Sequence, residues 1–212
     1  MHPIERRYIS NPALPVRVET REDGKRVIVG YASVFYRADN PGTEYELWPG
    51  VLERIGLGAF DRAIKDRHDA RGLFNHDPSL LLGRVGAGTV RLAVDATGLR
   101  YEIDPPDTQV GRDVLVSLER GDLTGSSFAF QVRGDEWQHG KGGAPDIRTI
   151  LDVDLLDVSP VTYPAYEATS TGLRSCDGIE AARAEHAKAK AAHLAKMAEV
   201  DAMRRDAELM RM

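Results

Sequence analysis

Cysteine is nearly missing from this sequence: Cys176 stands alone among 212 residues. One cysteine excludes an intramolecular disulfide and any multi-cysteine zinc site. Its setting, Arg174-Ser175-Cys176-Asp177-Gly178, is polar and linker-like, which makes it a poor nucleophile candidate. Excess positive charge is also missing. The formal net charge is -5, so no overall basic field points to nucleic acid or to an anionic membrane. No run approaches the roughly 18 apolar residues that a membrane span needs. The opening Met1-His2-Pro3-Ile4-Glu5-Arg6-Arg7 has no apolar centre of the signal-peptide kind, so synthesis in the cytosol is the expectation. No internal repeat is visible.

What remains is the composition of a globular domain with an appendage, 42% hydrophobic and 29% charged. Residues 1–24 read as an irregular lead-in, because Pro3, Pro12 and Pro15 limit regular structure. Arg26–Phe35 is rich in β-branched and aromatic residues and predicts a strand; a second covers Glu44–Val51. Phe60 and Ile64, four apart, suggest a helix over Asp61–Arg71. Leu73–Pro78 predicts a short strand that Pro78 closes, and Leu80–Gly86 the next. Alternation in Val90–Val94 and Leu99–Ile103, around Asp95-Ala96-Thr97-Gly98, gives the clearest hairpin. Val110–Arg120 reads as a helix followed by Gly121. A strand then runs from the turn at Leu123-Thr124-Gly125 to about Val132. Gly134–Pro145 is a polar, glycine-rich stretch expected to be a disordered loop or a lid. Arg148–Ser159 is a long strand carrying acids on an apolar background. Residues 169–176 read as a linker and 177–212 as one long helix with a narrow stripe of Leu194, Met197, Val200 and Met203. The fold class is therefore mostly β with flanking helices, an α+β protein. Its main domain spans 25–168.

Three polar positions stand in strand contexts: His76, the Ser126-Ser127 pair, and the acids Asp152, Asp154 and Asp157. A serine hydroxyl is barely nucleophilic unless a base lies within ~2.6–3.2 Å and a third group orients that base. Histidine, with an unperturbed pKa of ~6.5, suits the base, and a carboxylate suits the third place. Each residue also has an ordinary structural role: turn serines bond their own backbone, Asn-His-Asp-Pro is turn-like, and strand acids face water. Asp152 and Asp154 share a face by the period of two and Asp157 points the other way, so residue types alone do not select among them. No Gly-x-Ser-x-Gly elbow surrounds Ser127, which argues against an ordinary esterase.

Five segments, in order, resemble the prohead maturation proteases of HK97-like tailed phages and gene transfer agents. They are Gly30–Phe35, Phe60-Asp61, Leu73–Pro78 with Gly83-Arg84, Ser127-Phe128-Ala129-Phe130, and Leu155–Tyr166, together spanning about residues 25–168. The resemblance implies a serine endopeptidase with His76 as general base. Ser127 is the nucleophile, preferred over Ser126 because the family serine directly precedes the phenylalanine. It also implies a herpesvirus-assemblin-like antiparallel β-barrel surrounded by helices. Laid on the assemblin strand that carries a second histidine, this chain has Asp152 at the histidine's place, so Asp152 is favoured over Asp157 and Asp154. The arginine-bearing loop of the assemblin oxyanion hole has no clear counterpart; its place holds Ser159-Pro160-Val161. No cofactor and no metal are implied. The expected partners are the major capsid protein with its scaffold-like region and the portal-bearing procapsid shell. Self-association stays open, and neither nucleic acid nor membrane is expected as a partner. The expected location is the procapsid in the cytoplasm of a bacterial host. The tail beyond Thr169 would dock the enzyme to capsid or scaffold, or be removed by self-cleavage. The rival reading is a catalytically silent internal scaffold of the same fold.

Overall fold

A computed structural model describes residues 3–9, 13–162 and 179–209. The expected linker 169–176 and the last four residues of the Leu155–Tyr166 segment lie outside the described residues.

Among the described residues, eleven strands form two sheets. The larger is built on the two longest strands, β10 (Gly125–Gln138) and β11 (Asp146–Val161), an antiparallel pair. On the far side of β10 lies β1 (Glu5–Ile9). The other edge of β11 is shared. Its first half pairs in parallel with β5 (Val51–Ile55), which continues to β4 (Glu44–Trp48); its second half pairs in parallel with β6 (Arg71–Phe74), which continues to β7 (Asp77–Arg84). The smaller sheet is antiparallel in the order β2 (Arg17–Thr20), β3 (Arg26–Val34), β9 (Gly98–Ile103), β8 (Val90–Val94). The core fills the space where residues of both sheets meet, with Ile28, Tyr101 and Ile103 from one and Phe128, Phe130 and Val158 from the other. Phe128 stacks on Phe130 at 4.7 Å and meets Phe60 edge-on at 5.6 Å.

The expected antiparallel barrel does not form: among the described residues both sheets are open, and β11 has two parallel neighbours. The lead-in is not irregular, because Pro3, Pro12 and Pro15 all fall outside β1 and β2. The predicted strand at 44–51 is two strands, separated by a turn in which Gly50 has φ +82. Helix α1 stops at Lys65 (Asp61–Lys65) because Arg67 turns left-handed at φ +49. Pro78 does not end a strand but sits second in β7, where a missing N–H is tolerated near a strand start. Helix α2 (Gln109–Glu119) is capped by Thr108, whose hydroxyl accepts from Gly111 N–H. Half of the predicted lid is strand, since β10 runs on to Gln138. Helix α3 (Ile179–Leu209) follows expectation; its first turns pack against the domain through Ala182, while Leu194, Met197, Val200 and Met203 are exposed. No helix among the described residues is long and apolar enough to cross a membrane.

A four-member ion network lies beside Phe130. Arg7 bonds Glu53 at 2.5 and 2.9 Å and Glu5 at 2.5 Å, and Arg148 bonds Glu5 at 3.0 Å and Glu53 at 3.1 Å. All four side chains are buried, so each depends on its partners to offset the loss of water. The network ties β1, β5 and β11 together and gives the edge strand β1 a firm seat.

Candidate active site

The turn between β6 and β7 consists of Asn75 and His76, both left-handed at φ +54 and +57. A two-residue hairpin turn with the twist of its strands requires that conformation at both positions, and asparagine and histidine enter it more readily than most residues. Asn75 staples the turn to the end of β11. Its N–H donates to the Pro160 carbonyl at 3.1 Å, and its side-chain oxygen accepts from the Thr162 N–H at 2.9 Å. The staple offsets the strain and fixes where the imidazole points.

It points at β10. His76 Nε2 lies 2.5 Å from Ser127 Oγ, and His76 Nδ1 lies 2.6 Å from Asp157 Oδ1. A carboxylate only accepts, so Nδ1 carries the proton and Nε2 presents a lone pair to the serine. Ser159 Oγ donates to the same Asp157 oxygen at 2.9 Å. The Ser127 hydroxyl also lies 3.0 Å from the Arg7 carbonyl of β1. One hydroxyl proton serves one of these acceptors at a time.

The register explains which acid arrives. Ser127 pairs directly with Ser159, so their side chains share a face; Asp157, two residues before Ser159, shares it too. Asp152 is five residues nearer the turn, roughly 16 Å along the strand at ~3.3 Å per residue. The expected contact of Asp152 with His76 is therefore corrected. Asp152 accepts from Arg62 at 3.0 Å, and Asp154 takes the same guanidinium at 2.7 Å. Register shifts between Ala129 and Phe130 and on both sides of Gly134 interrupt the simple alternation between Asp152 and Asp157. Nothing in the assemblin comparison carries that information.

The two serines separate cleanly. Ser126 is turned into the core, where its hydroxyl meets Tyr101 OH at 2.8 Å. That approach requires Gly30: a Cβ there would lie 2.7 Å from Tyr101 OH and 2.9 Å from Ser126 Oγ. Ser159, which stands in the place of the assemblin arginine loop, spends its hydroxyl on Asp157. The sequence reading missed β1 as part of the site. Tyr8 pairs with Ser127 and meets His76 edge-on at 6.2 Å, and Ser127 is 0% exposed beneath this cover. Glu5-Arg6-Arg7-Tyr8-Ile9 has no polar–apolar alternation, so the strand left no period-two signal in the sequence.

Comparison with known proteins places the chain in a family. Among solved structures, the capsid assembly protease of bacteriophage T4 aligns at 11% identity with a TM-score of 0.48, covering 76% of this chain and 98% of that one. No curated protein matches significantly. The profile of the caudovirus prohead serine protease family matches residues 13–184, which contain His76, Ser127 and Asp157 and extend beyond both ends of the resemblance read from the motifs. By that match, the chain belongs to the caudovirus prohead serine protease family.

Proposed function

We propose that the chain is an active serine endopeptidase of capsid maturation. In this reading Ser127 is the nucleophile, His76 the general base and Asp157 the acid that orients it. The observation that supports this most is the use of both His76 ring nitrogens, one on a serine hydroxyl and one on a carboxylate. His76 Nε2 takes the Ser127 proton as Oγ attacks a peptide carbonyl. It returns that proton to the leaving amine, and water then hydrolyses the acyl-enzyme with the same base. Asp157 holds the tautomer and stabilises the imidazolium.

The substrate in this reading is the scaffold-like region of the major capsid protein, cut inside the procapsid in the bacterial host, followed by the protease itself. Residues 25–168 with the two added edge strands are the protease domain, and the α3 tail is its docking or self-processed appendage. The silent-scaffold reading has one observation in its favour, the full burial of Ser127.

Coexpression with the major capsid protein decides between them. Intact-mass analysis is expected to show truncated capsid protein with wild type and full-length capsid protein with Ser127→Ala, a loss on the order of 10⁶-fold in rate. Normal processing by Ser127→Ala removes the nucleophile assignment. A folded wild type that leaves every capsid protein intact makes the chain a scaffold.

A further inference from the structure

The chain has six histidines, and three of them, His139, His186 and His193, gather far from His76. His139 and His186 meet at Asp146, the first residue of β11. His186 Nε2 lies 2.5 Å from Asp146 Oδ2, Lys190 Nζ 3.1 Å and His139 Nδ1 3.2 Å. Three nitrogen groups thus converge on a single carboxylate oxygen. The other oxygen accepts the Gly140 N–H at 2.9 Å, which fixes the carboxylate's orientation.

We propose that His139, Asp146 and His186 form a binding site for a divalent transition metal, Zn2+ by donor chemistry, that clamps the appended helix α3 to the β10–β11 turn. Two imidazoles and a carboxylate are the ligand types such an ion takes, and a nitrogen that donates a hydrogen bond becomes a ligand once its proton leaves. The three donor atoms lie within 4.8 Å of one another. Zinc bonds of ~2.0–2.2 Å place tetrahedral ligand atoms roughly 3.4 Å apart, so a gap of 4.8 Å closes by about 1.4 Å. The side chains are 10%, 5% and 13% exposed, a closed setting of the structural kind. Gly140 supplies the outer bond that such sites use to hold a ligating carboxylate. His193 follows His186 by seven residues on α3, and its ring lies 4.8 Å from that of His139, within reach of a fourth position. Lys190 occupies the charge position now; its side chain is 49% exposed and free to swing into water as the ion enters. Burial raises the Asp146 pKa, but bonds from His186, Gly140, His139 and Lys190 outweigh it and hold the carboxyl well below the usual range.

The ligands come from both sides of the segment 163–178, so the ion would fasten the tail to the domain. The site sits at the opposite end of the hairpin from Ser127, which makes its role independent of the catalytic reading.

The test uses the full chain, stripped with a chelator and titrated with Zn2+ by calorimetry and with Co2+ by visible absorption. The expected result is one ion per chain and the intense d–d bands of a low-coordinate site. Both tryptophans, Trp48 and Trp137, lie against His186 at 5.8 and 4.8 Å, so their fluorescence is expected to change on binding. His139→Ala and His186→Ala are each expected to weaken binding by more than the ~10–100-fold that a lost outer bond costs. His68→Ala, outside the cluster, is expected to leave it unchanged. His186 lies on the appended helix, so that variant tests the site without touching the sheets; circular dichroism confirms that both variants fold. No saturable binding, or equal binding by wild type and both cluster variants, overturns the proposal and leaves a hydrogen-bonded latch only.

Discussion

The two ends of the β10–β11 hairpin use the same residue types differently. At the open end, Ser127, His76 and Asp157 are arranged in series, each passing a hydrogen bond to the next. At the turn end, His139, His186 and Lys190 are arranged in convergence on Asp146. In the series the serine proton can pass to His76 Nε2 while the Asp157 carboxylate, an acceptor only, steadies the imidazolium that forms. Convergence gathers three nitrogen groups on one oxygen and leaves no onward acceptor. The polar inventory is similar at both ends, and the connectivity separates the proposed chemical site from the proposed holding site.

Asp157→Asn tests the series most severely. The amide favours the wrong tautomer of His76, and capsid-protein cleavage is expected to fall on the order of 10⁴-fold with the fold intact. Cleavage within tenfold of wild type would dissolve the distinction between the ends. Next is Glu53→Gln, which unbalances the buried network that seats β1 between them. Breaking a buried pair leaves a charge uncompensated, so a loss of about 3–5 kcal/mol is expected in denaturant unfolding. A loss under 1 kcal/mol would show that water reaches the network. Asp152→Asn sharpens the contrast with Asp157. Its exposed bond to Arg62 is worth about 0–1 kcal/mol, Asp154 still holds Arg62, and cleavage kinetics are expected to match wild type. The smallest effect concerns Glu102, on the other sheet. Burial raises its pKa, but bonds from Arg100, Arg91 and Arg21 outweigh it and hold it at about 2 against an ordinary 4.5. A lowered folded pKa gives stability that is present above 4.5 and lost as pH falls toward 2. Glu102→Gln is therefore expected to flatten the acid limb of the stability–pH curve in that window, with the hairpin unaffected.

His76 and Ser127 were legible through the family resemblance, which rests on short local segments around each. The turn residues Asn75-His76 and the strand Ser127–Phe130 need no distant information. The β8–β9 hairpin and α2 were legible for the same reason: their patterns close within about fifteen residues. β1 was not, because its pairing with β10 joins Tyr8 to Ser127 across most of the domain. Nor was Asp157, since the acid is chosen by its cross-strand register with β10, which spacing along β11 does not reveal. The histidine cluster was hidden differently. Its members fall on a turn, a strand start and a helix, and no spacing motif links them; the concentration of three histidines and both tryptophans around one carboxylate becomes visible only in space.

The cover over Ser127 has a consequence for how this chain would be assayed. The hydroxyl is withheld from solvent by a strand that also bonds it through the Arg7 carbonyl. A covalent serine reagent added to the folded chain therefore reacts only as often as the sheet edge lifts. The labelling rate becomes a clock for the departure of β1, not a measure of nucleophilicity. Weakening the seat of Arg7 and Glu5 makes that clock run faster while the His76–Asp157 pair stays as it is.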